Sequence, residues 1–413
     1  MEHCEDERRL TMDGFPQSPS VLSLFSGAGG MDIGLEAAGF DSLGCVEWDE
    51  SCRQSLRTNR PAWPLHEPYD VVEFVRSLEP SRLGVEVGEL ALLAGGPPCQ
   101  PFSTAAQWSS RGRRGMEDSR FSTVPAMMEA IRRLLPHAVL IENVAGFFSG
   151  KQSAKEFIES QLEEINLSCG TGYVLDVRIV NASHFGVPQN RRRAIGVISR
   201  SGRRLEWPSP THLGAPITAW DVLHDVPHSS RPERKGNWSD LLPSIPEGAN
   251  YQYLTSEGAG QELFGYRTKF WSFLLKLAKD QPSWTLPASP GPSTGPFHWD
   301  NRPLSAAEMM RLQTFPDSWR IEGGFRSQVK QLGNATPPLL AEIFGRQIRR
   351  QFFGETGLSE VPSLAPSRAV IPPPSPAAPV PIPARFVELV GPKPRHPGSG
   401  EGPAPRAVEA SSS

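Results

Sequence analysis

Apolar residues recur along this chain in short blocks, each closed by a glycine, a proline or an acid. Val21-Leu22-Ser23-Leu24-Phe25 has the pattern of a strand. Ser26-Gly27-Ala28-Gly29-Gly30 then turns it into a helix that runs through Leu35 and Ala38 and stops at Gly39. Leu43-Gly44-Cys45-Val46-Glu47 reads as a second strand, and Asp70 is expected at the end of a third. Leu90-Ala91-Leu92-Leu93-Ala94 is a short buried strand that leads into Gly95-Gly96-Pro97-Pro98-Cys99. A helix through Met127, Met128, Ile131, Leu134 and Leu135 precedes the strand Ala138-Val139-Leu140-Ile141, which ends in Glu142-Asn143-Val144. Tyr173 to Asn181 alternates as a strand, and Ala194 to Ile198 forms another. Strands interleaved with helices predict an open α/β sheet, with its chemistry at the carboxyl ends of the strands.

The pattern breaks at about Arg203. Up to Asn301 the composition shifts to Pro, Trp, Ser and Gly, which predicts a smaller, irregular lobe over 203–301. Regular periodicity returns with a capping box at Ser305 and Glu308. A last helix follows, with Thr336 as N-cap, Pro337 as first helical residue, and an apolar stripe through Leu339, Leu340, Ile343, Phe344 and Ile348. The expected organisation is a mobile lead-in over 1–19, a catalytic domain over 20–202, the lobe, a return to the catalytic domain over 302–356, and a disordered Pro/Ala/Ser-rich tail over 357–413.

Composition narrows the class. With 413 residues, 38% of them hydrophobic, the chain can bury a sizeable core, and its net charge of −3 argues against a uniformly cationic nucleic-acid binder. A local basic cleft stays open as an alternative. Cysteines at positions 4, 45, 52, 99 and 169 form no C-x-x-C pair, and the odd count favours reduced thiols. There is no zinc-ligand spacing, no apolar signal core and no run of membrane-spanning length. The expectation is a soluble, cytoplasmic, metal-free protein.

Candidate chemistry collects at strand ends. Two glycines and two prolines place Cys99 on a stiff support, which suits a nucleophile better than a packed core thiol. Glu47 lies about 20 residues past the first glycine of the turn, the separation at which an acid reaches a ribose hydroxyl. The turn lacks the full G-x-G-x-x-G pyrophosphate fingerprint, which weakens a nicotinamide reading. Glu142 ends a four-residue apolar strand, and Arg191 and Arg193 enter another on a shared face. Ser109 to Gly115 is basic and irregular, and its arginines could meet phosphates.

Pro98-Cys99-Gln100-Pro101-Phe102-Ser103 resembles the catalytic loop of the cytosine-C5 DNA methyltransferases. Phe25-Ser26-Gly27-Ala28-Gly29-Gly30, Glu142-Asn143-Val144, Gln189-Asn190-Arg191-Arg192-Arg193 and Gly333-Asn334-Ala335-Thr336-Pro337-Pro338 resemble further motifs of that family, in its order, so the likeness spans roughly Val21 to Phe353. The resemblance implies a Rossmann-like sheet carrying a target-recognition lobe, with S-adenosylmethionine as cofactor. It puts Phe25, Gly27, Gly29, Gly30, Glu47, Asp70, Pro97 and Asn334 around that cofactor. Cys99 becomes the nucleophile, Glu142 the acid that engages the base, and Arg191 and Arg193 line its pocket. Gln100, Ser103, Arg111, Arg113 and Gln189 become candidate contacts to double-stranded DNA, from which the cytosine is flipped out. The enzyme is expected to be a monomer, in a restriction system, in another defence system or as an orphan methyltransferase. An RNA cytosine-C5 methyltransferase could share every catalytic part and stays open at this point.

Overall fold

The apolar blocks become one sheet in the computed structural model, which describes residues 18–98, 123–150, 153–227, 232–233, 236–265 and 270–387. The first half supplies β1 (Ser20–Leu24), α1 (Gly30–Ala37), β2 (Asp41–Val46), α2 (Glu50–Asn59), α3 (Val71–Arg76), β3 (Leu92–Gly95), α4 (Thr123–Leu134) and β4 (Ala138–Asn143). Then come α5 (Lys155–Cys169), β5 (Val174–Asn181), β6 (Gln189–Asn190), β7 (Arg192–Ser199), α6 (Ala219–Leu223) and β8 (Ser283–Trp284). The chain ends with α7 (Ala306–Leu312), α8 (Phe325–Asn334), α9 (Pro338–Phe352) and α10 (Ala384–Val387). Six strands order as β2-β1-β3-β4-β7-β5, with β7 antiparallel to both neighbours.

Alternation along the strands feeds two cores, as expected when both faces of a sheet are covered. Leu22, Leu24, Leu93, Val139 and Ile141 join α3, α4 and α5 on one face, while Val21, Leu92, Ala94 and Leu140 join α1 and α9 on the other. Parallel pairing sets Leu24 against Gly95 and Gly95 against Ile141. Antiparallel pairing sets Glu142 against Ile195. The glycine turn after β1, the segment after β3 and the end of β4 therefore share one edge of the sheet.

Several expectations are corrected. No strand ends at Asp70: residue 65 makes only an isolated bridge to Cys45, and Asp70 instead caps α3, accepting from the backbone of Val72 at 2.8 Å and Glu73 at 3.2 Å. Prolines at 64 and 68 leave that stretch short of donors for a ladder. Helix α9 starts one residue late, with Pro337 at the N-cap and Pro338 first in the helix. Its buried first-turn donor at Leu339, which has no intrahelical acceptor, is met by Thr314 Oγ1 at 3.0 Å, so Thr336 is not needed as a cap.

The lobe is less separate than its composition suggests. Leu241, Tyr251, Phe264, Leu274 and Phe297 make a small core of its own. Its flanks are anchored elsewhere: Ile217, Val222, Leu277 and Leu286 pack with Met309, Leu312 and Leu332 of α7 and α8. β8 pairs with β6 in parallel. Within the 357–413 tail, residues 363, 364, 382 and 386 dock on the rest of the chain, residues 371–381 stay exposed, and 388–413 lie outside the described residues. Buried Glu342 of α9 accepts from Ser363 N at 2.6 Å and Leu364 N at 2.9 Å. Ile382 and Phe386 enter the core of the lobe. Low hydrophobicity predicts disorder only when a segment has nothing to dock on, and here sparse apolar residues meet a prepared surface. Among the described residues, no helix is long and apolar enough to cross a membrane.

Candidate active site

At the carboxyl edge, the turn after β1 is built to face a ligand. Phe25 takes φ +58° and donates its N–H to Val46 O at 2.9 Å, binding the turn to the end of β2. Gly27 takes φ +56°, and a Cβ placed there would meet nothing within 4 Å, so the backbone is bare on that side. Gly29 caps α1 in the left-handed conformation. At Gly30 a Cβ would lie 2.2 Å from Thr336 O, so only glycine lets the α8–α9 connection approach. That approach carries exposed Asn334, the last residue of α8, to the same side.

Glu47 follows β2 and is buried. Its Oε2 accepts Gly27 N at 2.7 Å and its Oε1 accepts Asp49 N at 2.8 Å. Burial raises its pKa above the ordinary carboxylate value, and the two backbone donors oppose that rise. Arg53 holds the next turn by donating to the carbonyls of Glu47 and Trp48, and its guanidinium lies 3.9 Å over the Tyr69 ring, next to Asp70. Trp48 is left 74% exposed directly after the acid. Sequence reading passed over Trp48 and Arg53; the aromatic beside a candidate ribose acid was a usable signal, whereas nothing local marked Arg53 for burial.

A second cluster forms at the end of β4. Glu142 is 7% exposed, with Arg193 Nε 2.8 Å from its Oε1, in ion-pair contact although outside hydrogen-bond alignment. A Cβ on Gly96 would be 3.2 Å from the Glu142 carbonyl, so the segment after β3 lies directly against this acid. Asn143, which the sequence reading left without a role, donates from Nδ2 to Pro97 O at 2.8 Å. The backbone two residues before Cys99 is thus pinned beside the Glu142 carboxylate. Cys99 itself, with Gln100, Ser103, Arg111 and Arg113, lies outside the described residues.

Two residues change role. Arg191 does not line an open pocket: it is 1% exposed, and both Nη atoms donate to Gly333 O at 3.1 Å, which steadies the end of α8 that bears Asn334. Gln189 is fully buried, donates to Leu312 O at 3.3 Å and accepts from Leu286 N at 3.4 Å, so it ties the lobe to the core and cannot reach nucleic acid. The sheet begins at Arg192, one residue later than a shared-face argument needs, which leaves Arg191 free to turn inward. Of the other thiols, those of Cys45 and Cys52 are buried, and burial pushes both pKa values up, away from thiolate chemistry.

Comparison with known proteins decides the family. The model of the C-5 cytosine-specific DNA methylase family matches residues 20–350. The chain belongs to that family. It is 31% identical over 371 residues to the Type II methyltransferase M.SacI of Streptomyces achromogenes, covering 80% of this chain and 93% of that one. It is 33% identical over 356 residues to the Type II methyltransferase M.PspPI of Psychrobacter sp., covering 81% and 80%. A DNA modification methyltransferase encoded within an Escherichia coli prophage shares the fold, with a TM-score of 0.54 at 24% identity over 82% of this chain and all of that one.

The methylase family uses S-adenosylmethionine, and the first cluster fits such a group: a bare glycine turn, a buried acid and an exposed indole adjoin. Glu47→Ala is expected to weaken S-adenosylhomocysteine binding at least tenfold in calorimetry, since charge-assisted hydrogen bonds contribute about 1.5–3 kcal/mol. Unchanged affinity would remove Glu47 from the site.

Proposed function

We propose that this chain methylates C5 of cytosine within a specific sequence of double-stranded DNA, with Cys99 adding to C6 of a flipped-out base held by Glu142. The observation that carries this reading is the junction of Glu142, Asn143 and Pro97, which ties the approach to Cys99 to a buried acid paired with Arg193. Cytosine C5 is too weak a nucleophile to take a methyl group unaided. Addition of the Cys99 thiolate forms an Sγ–C6 bond and pushes the ring electrons toward C5. Glu142 holds N3 and the exocyclic amine, and Arg193 keeps that carboxylate oriented and lies near the base carbonyl. Bound S-adenosylmethionine supplies the electrophilic methyl group. Loss of the C5 proton then restores the double bond as the Sγ–C6 bond breaks.

Glu47, Phe25, Gly27, Gly29, Gly30, Asn334 and the Trp48 face would hold the cofactor, with Asp70 offering an exposed carboxylate next to Tyr69. The target atom is shielded inside a duplex, so the base must leave the stack. The 203–301 lobe is suited to reading the flanking sequence, since β6 and β8 fix it beside the catalytic edge. The test is expression in a methylation-free bacterium followed by whole-genome bisulfite sequencing. A recurring short motif carrying 5-methylcytosine is expected. Unmodified DNA alongside methylated cellular RNA would overturn the DNA reading.

A further inference from the structure

β5 lies at the rim of the sheet, and its far end borders a cavity of about 310 Å³ that the methyl-transfer chemistry does not use. Arg178, Asn181, His184 and Arg192 supply its polar lining. Arg178 and Arg192 are both exposed, and neither has an ion-pair partner among the described residues. The neighbouring carboxylate, Asp176, is engaged by Trp207 Nε1 at 2.9 Å and by Arg204 at 3.7 Å. Asn181 donates its amide to Asn190 Oδ1 at 3.1 Å, while its own Oδ1 is buried without a hydrogen-bond partner.

The remaining wall is aromatic. Trp207 meets the Phe344 ring edge-on at 5.8 Å, and the Arg178 guanidinium lies 4.9 Å over the indole. Phe185 packs 6.0 Å from Phe344. Phe344 also lines a water-sized gap against Glu142, so the cavity and the catalytic carboxylate share one phenyl ring. Two guanidiniums without a carboxylate partner among the described residues call for an anion, and the aromatic wall beside them for a flat ring. The volume is at the lower end for small-molecule sites, which start at about 300 Å³.

We propose that this cavity binds one nucleotide, its phosphate on Arg178 and Arg192 and its base against the Trp207 wall. That chemistry is presented by a free mononucleotide and by a nucleotide within a DNA strand. The site is separate from the cofactor turn and does not depend on the methyl-transfer reading.

The test uses the full chain saturated with S-adenosylhomocysteine, so that no probe enters the cofactor site. Calorimetry with the four deoxynucleoside monophosphates is expected to show one site per chain. The Arg178→Gln/Arg192→Gln double variant should weaken binding at least tenfold with an unchanged melting temperature, because both side chains are exposed. A duplex lacking the methylated sequence separates the sources: displacement of the mononucleotide by duplex identifies a DNA strand as the natural occupant, and simultaneous binding identifies a free nucleotide. The proposal is overturned if no mononucleotide binds, if the double variant binds equally well, or if inorganic phosphate alone matches the nucleotides. Because the readout is binding, its failure is distinguishable from a failure to methylate.

Discussion

DNA carrying 5-fluorocytosine in the methylated sequence is expected to trap this chain as a denaturant-resistant adduct through Cys99, formed only when S-adenosylmethionine is present. Thiolate addition places Sγ on C6 and the methyl group on C5, and release then requires a proton to leave C5. Fluorine in that place cannot leave as a proton, so the Sγ–C6 bond persists. Cys99→Ser should abolish both the adduct and turnover, because a serine hydroxyl is far less ionised than a thiol near neutral pH. Cys4 and Cys169 should be replaceable without effect, and the raised pKa values of buried Cys45 and Cys52 argue against their substituting for the nucleophile. The adduct is resolved by denaturing electrophoresis and mapped by peptide mass. An adduct at another cysteine, or one that survives in Cys99→Ser, would remove the assignment.

Ending the chain after Gly357 is expected to lower the melting temperature and cost more than tenfold in methylation, while S-adenosylhomocysteine binding persists. The segment that would be lost runs from the catalytic domain to the lobe. It starts on Glu342, which is fully buried, paired with Arg346, and bonded to Ser363 and Leu364. It continues past α6, where Ala369 N donates to Asp221 at 2.9 Å and Trp220 donates to Ile371 O at 2.7 Å. Near the limit of the described residues, Phe386 stacks on Trp238 at 5.6 Å. Removing it strips Glu342 of its backbone donors, leaving a buried charge under-satisfied.

It also exposes the lobe's small core. Fully burying a Phe or Ile side chain is worth roughly 1.5–3 kcal/mol, a large share for a core of that size. Phe386→Ala in the full chain isolates this end of the segment, and limited proteolysis should then cut first within the lobe. Wild-type melting and methylation in the truncated chain would show that these contacts carry no stability. The family model stops at residue 350, so the strap lies outside the part of the chain that defines the family.

Local physics made the catalytic sheet legible. Strands β1, β3, β4 and β7 are apolar blocks bounded by glycine, proline or charge, and in an open α/β sheet such blocks put the residue after them at one edge. Glu47 and Glu142 were found that way, and each is buried at the end of its strand. The Ser305–Glu308 capping box was legible for the same reason: it depends on residues three apart and on nothing distant.

Partner choice over long sequence distances was not legible. Arg191 and Arg193 look equivalent in the sequence, yet one grips Gly333 O, 142 positions away, and the other meets Glu142. Gln189 sits in a motif suggestive of DNA contact, but the pairing of β6 with β8 closes over it. The tail shows the same limit. Its composition cannot form a core by itself, and its order comes from Glu342, Asp221 and Trp238 on three remote elements. Periodicity and local backbone chemistry set where strands end and which side chains wait there. Which of those side chains are sealed in and which stay open is fixed by packing between remote elements, since burial of a charge depends on what packs over it.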